Sequence, residues 1–186
     1  IKATRATAII STKEIQNLWS GYGKIVRVNL AGTAPKSVIL KYIVFPEKNN
    51  HPRGWGTQHS HQRKVQSYEV EMHWYQDWSK QCIDKSRVAK CYSTLDLEYE
   101  SVIVLEDLDA SGFPDRYTSL NKQGAKLCSS WIANFPAKFM GAVPKDLWEK
   151  VSYWNLENRP DELAAMAVGE LKAAAVKIDQ SLNDCK

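Results

Sequence analysis

The sequence predicts an α+β protein, in which a small antiparallel sheet carrying one helix is followed by a mainly helical part. Apolar and polar residues alternate from Val26 to Leu30, and the nearly unbroken apolar run SVILKYIVF (Ser37–Phe45) follows, as expected for two strands. Between Ser60 and Trp78 the apolar residues recur every three or four positions, which is the spacing of a helix face. Helical patterns dominate after Arg116, so the sheet is expected to come first.

The composition is typical of a globular chain and narrows the classes of function. The 186 residues include 44% hydrophobic and 25% charged residues, and they suffice for a sizeable core. No apolar run approaches the roughly 18 residues of a membrane span, and a dispersed charge of +4 does not indicate nucleic-acid binding. The basic stretch HSHQRKVQ (His59–Gln66) is interpreted as a solvated face.

The cysteines and the N-terminus predict a cytoplasmic location. The four cysteines have no CxxC spacing, and the first residues lack the apolar core of a secretory signal. Reduced thiols are therefore expected, although Cys82 and Cys91 could in principle pair.

The first elements follow from short motifs. STKE (Ser11–Glu14) has the spacing of a capping box and predicts a short helix through Leu18. SGYGK (Ser20–Lys24) predicts a turn before the strand that ends at Leu30. AGTAPK (Ala31–Lys36) predicts a second turn, which joins this strand to SVILKYIVF in an antiparallel hairpin.

The middle of the chain predicts a loop, a helix and two more strands. The polar, Gly- and Pro-rich segment Pro46–Gln58 is expected to be a loop, and Ser60–Trp78 a helix. Strands are predicted around Val88–Thr94 and over Ser101–Asp107, before a break at Asp109–Arg116. The predicted apolar face of the helix comprises Val65, Tyr68, Met72, Tyr75 and Trp78.

Two long helical patterns follow the break. In Thr118–Gly141, Pro136 is expected to kink or stop the helix near Ile132. The segment from Arg159 to Leu182 predicts a closing helix, with Pro160 suited to its first turn. The expected apolar positions are Leu120, Leu127, Trp131, Ile132, Phe135 and Phe139 in the first helix, and Leu163, Ala167, Leu171, Ala174, Ile178 and Leu182 in the second.

Lys41 lies in the middle of the apolar strand, where a buried ammonium requires a partner. Kinases hold nucleotide phosphates with such a lysine and orient it with a glutamate from the next helix. On a helical wheel Glu71 lies roughly 60° from the centre of the apolar face and Glu69 roughly 100° away on the other side, so Glu71 is the predicted partner. The alternative interpretation is that Lys41 reaches solvent from a strand edge and Glu71 is a surface residue.

Two further segments lie in a kinase-like order. The turn containing Gly21, Tyr22 and Gly23 precedes a strand, where backbone amides could contact phosphates, although a simple turn is the alternative. SVIVLEDLD ends a strand where the sheet is joined to the helices, and the backbone there could bind the edge of adenine, although an acidic strand end is also common. The order of these features is more specific than any one of them.

Five segments resemble the choline-kinase-like phosphotransferases, in particular the ecdysteroid-kinase-like branch, which is related to the aminoglycoside phosphotransferases. The resemblance covers about Ile15 to Leu182, and it includes E-M-H-W-Y, which is similar to that family's helix motif. It implies a protein-kinase-like fold, with Lys41 holding phosphate, Glu71 as its partner and Glu106–Leu108 as the nucleotide hinge. The segments are LWSGYGKI, VILKYI, HPRGWGTQHSHQRKVQSYEVEMHWY, VIVLEDLDASGFPDR and YWNLENRPDEL.

The chain also departs from this family. Its Ile132–Ala137 stretch has Pro136 where the family's L-A-N-F-H-A pattern has histidine. No histidine follows His73, so the family's histidine-glycine-aspartate catalytic loop is absent, and the aspartate that binds Mg²⁺ is not found either. The implied domains are a nucleotide-binding lobe over residues 1–105, a hinge over 106–112 and the incomplete start of a helical lobe over 113–186.

The resemblance implies an ATP-dependent phosphotransferase that acts on a hydroxyl of a small molecule, with Lys41 and Mg²⁺ neutralising phosphate charge. The Mg²⁺ ligands are expected outside this sequence, and the chain alone is expected to be inactive. The expected partners are ATP and the hydroxyl-bearing substrate, with neither nucleic acid nor membrane. The alternative is a truncated, non-catalytic module that binds nucleotide or another protein. In either case the helices from Thr118 to Leu182 are expected to expose apolar surface.

Overall fold

A five-stranded antiparallel sheet forms the first part of the chain, and three helices follow it. A computed structural model describes residues 2–32, 35–45, 58–82, 84–149, 153–165 and 168–184. The strands are β1 (Ala8–Asn17), β2 (Gly23–Ala31), β3 (Ser37–Val44), β4 (Cys91–Asp96) and β5 (Glu100–Glu106), and the helices are α1 (Gln58–His73), α2 (Lys122–Lys138), α3 (Pro160–Ala165) and α4 (Val168–Asp184). The strand order is β1-β2-β3-β5-β4, with α1 between β3 and β4 in the chain. The predicted α+β class is therefore confirmed.

β1 corrects the first prediction from the sequence. The segment from Ser11 to Leu18 was expected to be a helix, but Ala8–Asn17 is an edge strand that pairs antiparallel with β2. Its β-branched residues suit a strand, and the pairing satisfies backbone groups that an isolated two-turn helix would satisfy poorly. The S-x-x-E spacing of Ser11 and Glu14 was therefore coincidental.

The predicted β2–β3 hairpin is confirmed. Lys41 pairs with Ile25 on β2 and with Ile103 on β5, so β3 is an inner strand of the sheet. The predicted strand over Ser101–Asp107 corresponds to β5, and the strand predicted around Val88–Thr94 begins three residues later, at Cys91. Most of the predicted loop Pro46–Gln58 lies outside the described residues.

Each face of the sheet carries one buried cluster. On the face that packs against α1, Ile43 and Ile103 are fully buried together with Tyr22, Tyr68 and Met72. The opposite face holds a smaller cluster of Ala6, Val28, Leu30 and Val38. Because side chains alternate along a strand, Lys41 and Ile43 point toward the same face as α1.

α1 confirms the predicted helix and continues into one π-helical turn, Trp74–Trp78. Tyr68 and Met72 from its predicted apolar face are buried, and Val65 and Tyr75 pack against them. The helix thereby carries Glu71 to the sheet face on which Lys41 lies.

α2 begins at the cap residue Asn121, whose side-chain oxygen accepts a hydrogen bond of 2.8 Å from the Gly124 amide. Pro136 was expected to kink or stop the helix near Ile132; the stop is wrong, since the helix continues to Lys138, and the kink stays a prediction. Pro136 lies in the last turn, so its missing N–H removes a single hydrogen bond close to the end. Phe135 and Phe139 pack against Trp74, with ring centroids 5.4 and 5.3 Å apart.

The chain divides into two compact units, residues 1–149 and 150–186. The predicted domain boundaries at 106–112 stay a prediction. In the second unit α3 begins at Pro160, as expected. The next described element is α4, which begins at Val168. Ala174 and Ile178 are exposed, so the inner face predicted for the closing helix is wrong at these two positions. The side chains of Leu163, Ala167, Leu171 and Leu182 lie outside the described residues.

Apolar side chains in and around α2 are exposed as the sequence led us to expect. Leu127 is 66% exposed and Ile132 62%, and no residue of α2 is buried. Within the described ranges, no helix combines the length and the hydropathy that crossing a membrane requires.

Candidate functional site

Lys41 and Glu71 form the predicted ion pair. The Lys41 Nζ atom lies 2.5 Å from Glu71 Oε2, and their side chains are 15% and 31% exposed. Glu69 is exposed on another face of α1, as the helical wheel indicated. The pairing prediction is therefore confirmed, and the interpretation of Glu71 as an unpaired surface residue is wrong.

The surroundings of this ion pair are largely apolar and aromatic. Ile103, opposite Lys41 on β5, is fully buried, and Lys41 Nζ lies 5.0 Å from the centre of the Tyr68 ring. Burial, followed by the charges of Glu71 and Cys91, raises the pKa of Tyr75 to about 12. Partial exclusion of water strengthens electrostatic interactions at this point of the sheet.

The turn between β1 and β2 is anchored to the same cluster through Tyr22. This side chain is 2% exposed, and its hydroxyl shares a hydrogen bond of 2.6 Å with His61 Nδ1 on α1. The Tyr22 ring also lies 5.8 Å from the Tyr68 ring, centre to centre. Tyr22 is therefore closed to a ligand, and its carbonyl also accepts a hydrogen bond of 3.0 Å from the Val44 amide.

The two glycines of this turn have different surroundings. Gly21 has φ +79° and open space around it. Gly23 has φ +118°, and a Cβ atom there would lie 2.1 Å from the carbonyl oxygen of Tyr42 on β3. Gly23 thus permits the close approach of two strands, whereas Gly21 leaves backbone accessible at the turn.

Glu106, the last residue of β5, and Asp107, which follows it, both have side chains that form hydrogen bonds within the protein. Glu106 accepts hydrogen bonds from Arg87 at 2.7 Å and from the Lys90 amide at 3.0 Å. Burial alone would raise the pKa of Glu106, but these bonds and one from Ser111 hold it below its ordinary value. These contacts leave only the backbone of this segment for a ligand.

Leu108, which is half-buried, has a backbone amide that a base could use. Its carbonyl accepts hydrogen bonds from the Phe113 and Ser111 amides at 2.9 and 3.2 Å. Its own amide donates to no group in the described part of the chain.

A network of alternating charges fixes this segment to the sheet. Asp107, which is 3% exposed, accepts hydrogen bonds from Arg27 Nε at 2.7 Å and from Ser37 Oγ at 2.6 Å. Arg27 also donates to Asp109 at 2.5 Å, and Arg116 donates to the other oxygen of Asp109 at 2.5 Å. The sequence did not predict this network, because its hydrogen-bonded partners are up to 82 residues apart and each residue type is common on a protein surface.

A cleft of about 250 Å³ lies beside the network. Its apolar lining comes from Ile15 on β1, Ile39 on β3 and Leu105 on β5, together with Leu108. Ile39 precedes Lys41 by two residues on the same face of β3, so the cleft begins about 7 Å from Lys41 along the strand. The predicted lysine, the predicted hinge and the cleft therefore share one face of the sheet.

A second cleft, of about 560 Å³, lies beside the start of β4, and Cys82 and Cys91 contribute to its lining. Cys82, Cys91 and Cys128 are free thiols, and burial raises the pKa of the first two. Cys82 and Cys91 are thus not paired with each other, and the fourth cysteine, Cys185, lies outside the described residues.

The comparisons with known proteins do not assign this arrangement. No protein-family model matches the chain, and a search of the curated proteins finds no significant match. Among the described residues, no group of three or more His, Cys, Asp or Glu side chains could hold a metal ion.

Proposed function

We propose that this chain is the nucleotide-binding part of an ATP-dependent phosphotransferase with a protein-kinase-like fold, which acts on a hydroxyl of a small molecule. The observation that carries the proposal is the Lys41–Glu71 pair, 2.5 Å apart, on the sheet face that also holds the 250 Å³ cleft. A strand lysine held by a helix glutamate is the arrangement that places an ammonium group on nucleotide phosphates.

Lys41 is suited to bind phosphate because Glu71 fixes its ammonium group without enclosing it. A lysine ammonium has three donors, and Glu71 Oε2 occupies one of them in the described contacts. The other donors can contact phosphate oxygens, and the partly dry surroundings strengthen that attraction. Gly21 adds exposed backbone at the β1–β2 turn, and its amide could turn to phosphate only by giving up the 3.3 Å hydrogen bond that it donates to the Leu18 carbonyl.

The cleft is suited to a flat heterocycle. Its volume of about 250 Å³ is below the ~300–1,000 Å³ typical of sites for drug-sized ligands, so it matches one ring system better than a whole nucleotide. Ile15, Ile39 and Leu105 offer apolar surface to a base, and the Leu108 amide can donate to a ring nitrogen. Adenine presents an acceptor nitrogen and an amino donor on one edge, so backbone N–H and C=O groups can form hydrogen bonds with it.

Mg²⁺ enters this proposal only as the ion that accompanies ATP. The described carboxylates near the cleft are already paired, Asp107 with Arg27 and Asp109 with Arg27 and Arg116. None of these described carboxylates is therefore assigned as a metal ligand.

Binding experiments test the proposal without requiring turnover. ATP is titrated into the wild-type protein and into Lys41→Ala, Glu71→Ala and the matched control Glu69→Ala. We expect Lys41→Ala to weaken binding at least about tenfold, since the charge-assisted contact is worth roughly 1.5–3 kcal/mol. Glu71→Ala should weaken binding to a smaller extent by releasing Lys41, and Glu69→Ala should leave it unchanged. Equal effects at Glu69 and Glu71, or no binding by the wild type, would contradict the proposal.

A second candidate is a non-catalytic module that binds a nucleotide or another protein. The exposed apolar side chains of α2, including Leu127 and Ile132, favour it, because such surface is common where a protein meets a partner. Failure of wild-type protein to bind ATP, combined with intact folding, would favour the protein-binding form of this second candidate.

A further inference from the structure

One arginine lies in an otherwise apolar row of residues that crosses the sheet beside the cleft of about 250 Å³. Arg27 on β2 lies opposite Ile39 on β3, and Ile39 lies opposite Leu105 on β5. Residues directly opposite one another share one face of a sheet, and all three contribute to the lining of the cleft. Because a charged group in such a row loses part of its hydration, its partners should explain its presence.

The guanidinium group of Arg27 binds the carboxylates on both sides of Leu108. Its Nε atom donates to Asp107 Oδ2 at 2.7 Å, and its Nη2 atom donates to Asp107 Oδ1 at 3.1 Å and to Asp109 Oδ2 at 2.5 Å. Hydrogen bonds from Arg27 and then from Arg116 hold the pKa of Asp109 below its ordinary value, so this contact is charged at neutral pH. One side chain of the sheet therefore fixes the residues before and after Leu108.

The turn that follows β5 uses the carbonyl group of Leu108 but not its amide. The carbonyl accepts hydrogen bonds from the Ser111 and Phe113 amides, whereas the Leu108 amide has no acceptor within the described ranges. Leu108 also contributes to the lining of the cleft. A base in the cleft would therefore meet a hydrogen-bond donor at this point, and the contacts of Arg27 determine where that donor lies.

Arg27 itself is poorly placed to bind phosphate. Three N–H groups of its guanidinium are already directed to carboxylate oxygens. The residue also lies level with Ile39, which is about 7 Å from Lys41 along the sheet. Its contribution to nucleotide binding is therefore expected to come from holding Leu108 rather than from touching the phosphates.

We propose that Arg27 is a positioning residue that makes the site select adenine over guanine nucleotides. This proposal rests on the proposed function, because it concerns the base end of the same nucleotide site. The ring nitrogen that adenine presents at this edge is an acceptor, whereas guanine carries an N–H donor at the corresponding nitrogen. A donor fixed at Leu108 pairs with adenine and opposes guanine, and two opposed donors leave the site without that hydrogen bond.

The test compares Arg27→Lys and Arg27→Met with the wild type. Lysine retains the positive charge but lacks the planar fork that binds both carboxylates, and methionine removes both contacts. The matched control is Lys24→Met, which removes another β2 cation that pairs with a carboxylate, that of Glu14, on the other face of the sheet. ATP, GTP and inorganic tripolyphosphate are titrated into each protein at one fixed ionic strength.

The expected result is a change in base selectivity. We expect the wild type to bind ATP at least about tenfold more tightly than GTP, because guanine leaves the Leu108 amide unpaired. Both Arg27 variants should weaken ATP binding about fivefold, as for the loss of one well-placed hydrogen bond, and change GTP and tripolyphosphate binding less than about twofold. The ratio of ATP affinity to GTP affinity should stay at the wild-type value in Lys24→Met.

Asp109→Ala keeps the proposal testable if the Arg27 variants fold poorly. Asp109 is 35% exposed, and its removal leaves Asp107 bound to Arg27 and Ser37. Only one of the two contacts that flank Leu108 is then lost, so we expect the ratio of ATP affinity to GTP affinity to fall about twofold to threefold. In the wild type, ATP should also slow hydrogen exchange of the Leu108 amide, and tripolyphosphate should not.

The outcomes separate this inference from the proposed function. ATP binding that Lys41→Ala weakens, combined with an affinity ratio that the Arg27 and Asp109 variants leave unchanged, would overturn the role of Arg27 alone. Equal weakening of ATP, GTP and tripolyphosphate binding by the Arg27 variants would also overturn it, because that result indicates a structural role. A wild type that binds ATP and GTP equally would contradict the selection of adenine. If the wild type binds no nucleotide, both the proposed function and this inference fail.

Discussion

Asp107 shows how one residue ties three segments of the molecule together. Its carboxylate, 3% exposed, receives hydrogen bonds from Arg27 on β2 and Ser37 at the start of β3. A buried carboxylate is tolerated when its oxygens are paired in this way, and removal of its charge leaves those donors unsatisfied. Asp107 therefore holds the segment after β5 against the sheet, at the edge of the candidate base site.

The charge of Asp107 makes stability depend on pH in a defined direction. Burial alone would raise its pKa, but hydrogen bonds from Ser37 and Arg27, with the charge of Arg27, hold it below the ordinary value of 3.8. A carboxyl whose pKa is depressed in the folded state stabilises the fold above its unfolded pKa. That contribution is lost as the pH falls through the folded pKa, which here lies below about 4.

Asp107→Asn should therefore lower stability at neutral pH and lose this effect in acid. We expect a decrease of about 2 kcal/mol in the free energy of unfolding at pH 7, since Arg27 keeps Asp109 as a partner. Urea unfolding at intervals from about pH 2 to pH 7 measures the difference between wild type and variant. The difference should be constant above pH 6 and should shrink below pH 4. A difference that is independent of pH would show that the charge of Asp107 does not stabilise the fold.

At the scale of elements, the sequence predicted side-chain positions best where the periodicity of a single strand or helix fixes the direction of each side chain. The Lys41–Glu71 pair followed from a buried strand and the helix after it, because each side chain's direction is set by its own element. β1 was mistaken for a helix, since the Ser11–Glu14 spacing is a local signal and pairing with β2 is not. The network of Arg27 with Asp107 joins residues 80 apart, and no local pattern brings them together.

The β1–β2 turn offers a sharp comparison between two glycines. Gly23→Ala should be strongly destabilising, because its Cβ would lie 2.1 Å from the Tyr42 carbonyl oxygen on β3 and the backbone would have to move. In Gly21→Ala the new Cβ atom would have no atom within 4 Å. The only expected loss of stability comes from holding alanine at φ +79°, which costs roughly 1–2 kcal/mol. Urea unfolding of both variants checks the order, and a Gly23→Ala protein as stable as Gly21→Ala would contradict the packing described here.

At the scale of the whole molecule, burial is concentrated on the sheet. Both buried clusters lie on its two faces, whereas α2 contributes no buried residue. Aromatic packing of Phe135 and Phe139 on Trp74 attaches α2 along one side. The remaining apolar side chains of α2 contribute little to folding, because side chains that stay in water gain little free energy from the folded state.

This distribution predicts that apolar residues of α2 can be made polar at little cost. We expect Leu127→Gln combined with Ile132→Gln to change the free energy of unfolding by less than about 1 kcal/mol, since the two side chains are 66% and 62% exposed. The same variant should bind less of a fluorescent dye that reports exposed apolar surface. The control is Ile103→Ala, which removes a fully buried side chain and should cost about 2–5 kcal/mol. Loss of stability in the double variant comparable to that of Ile103→Ala would mean that the α2 face is covered within the protein and is not available to a partner.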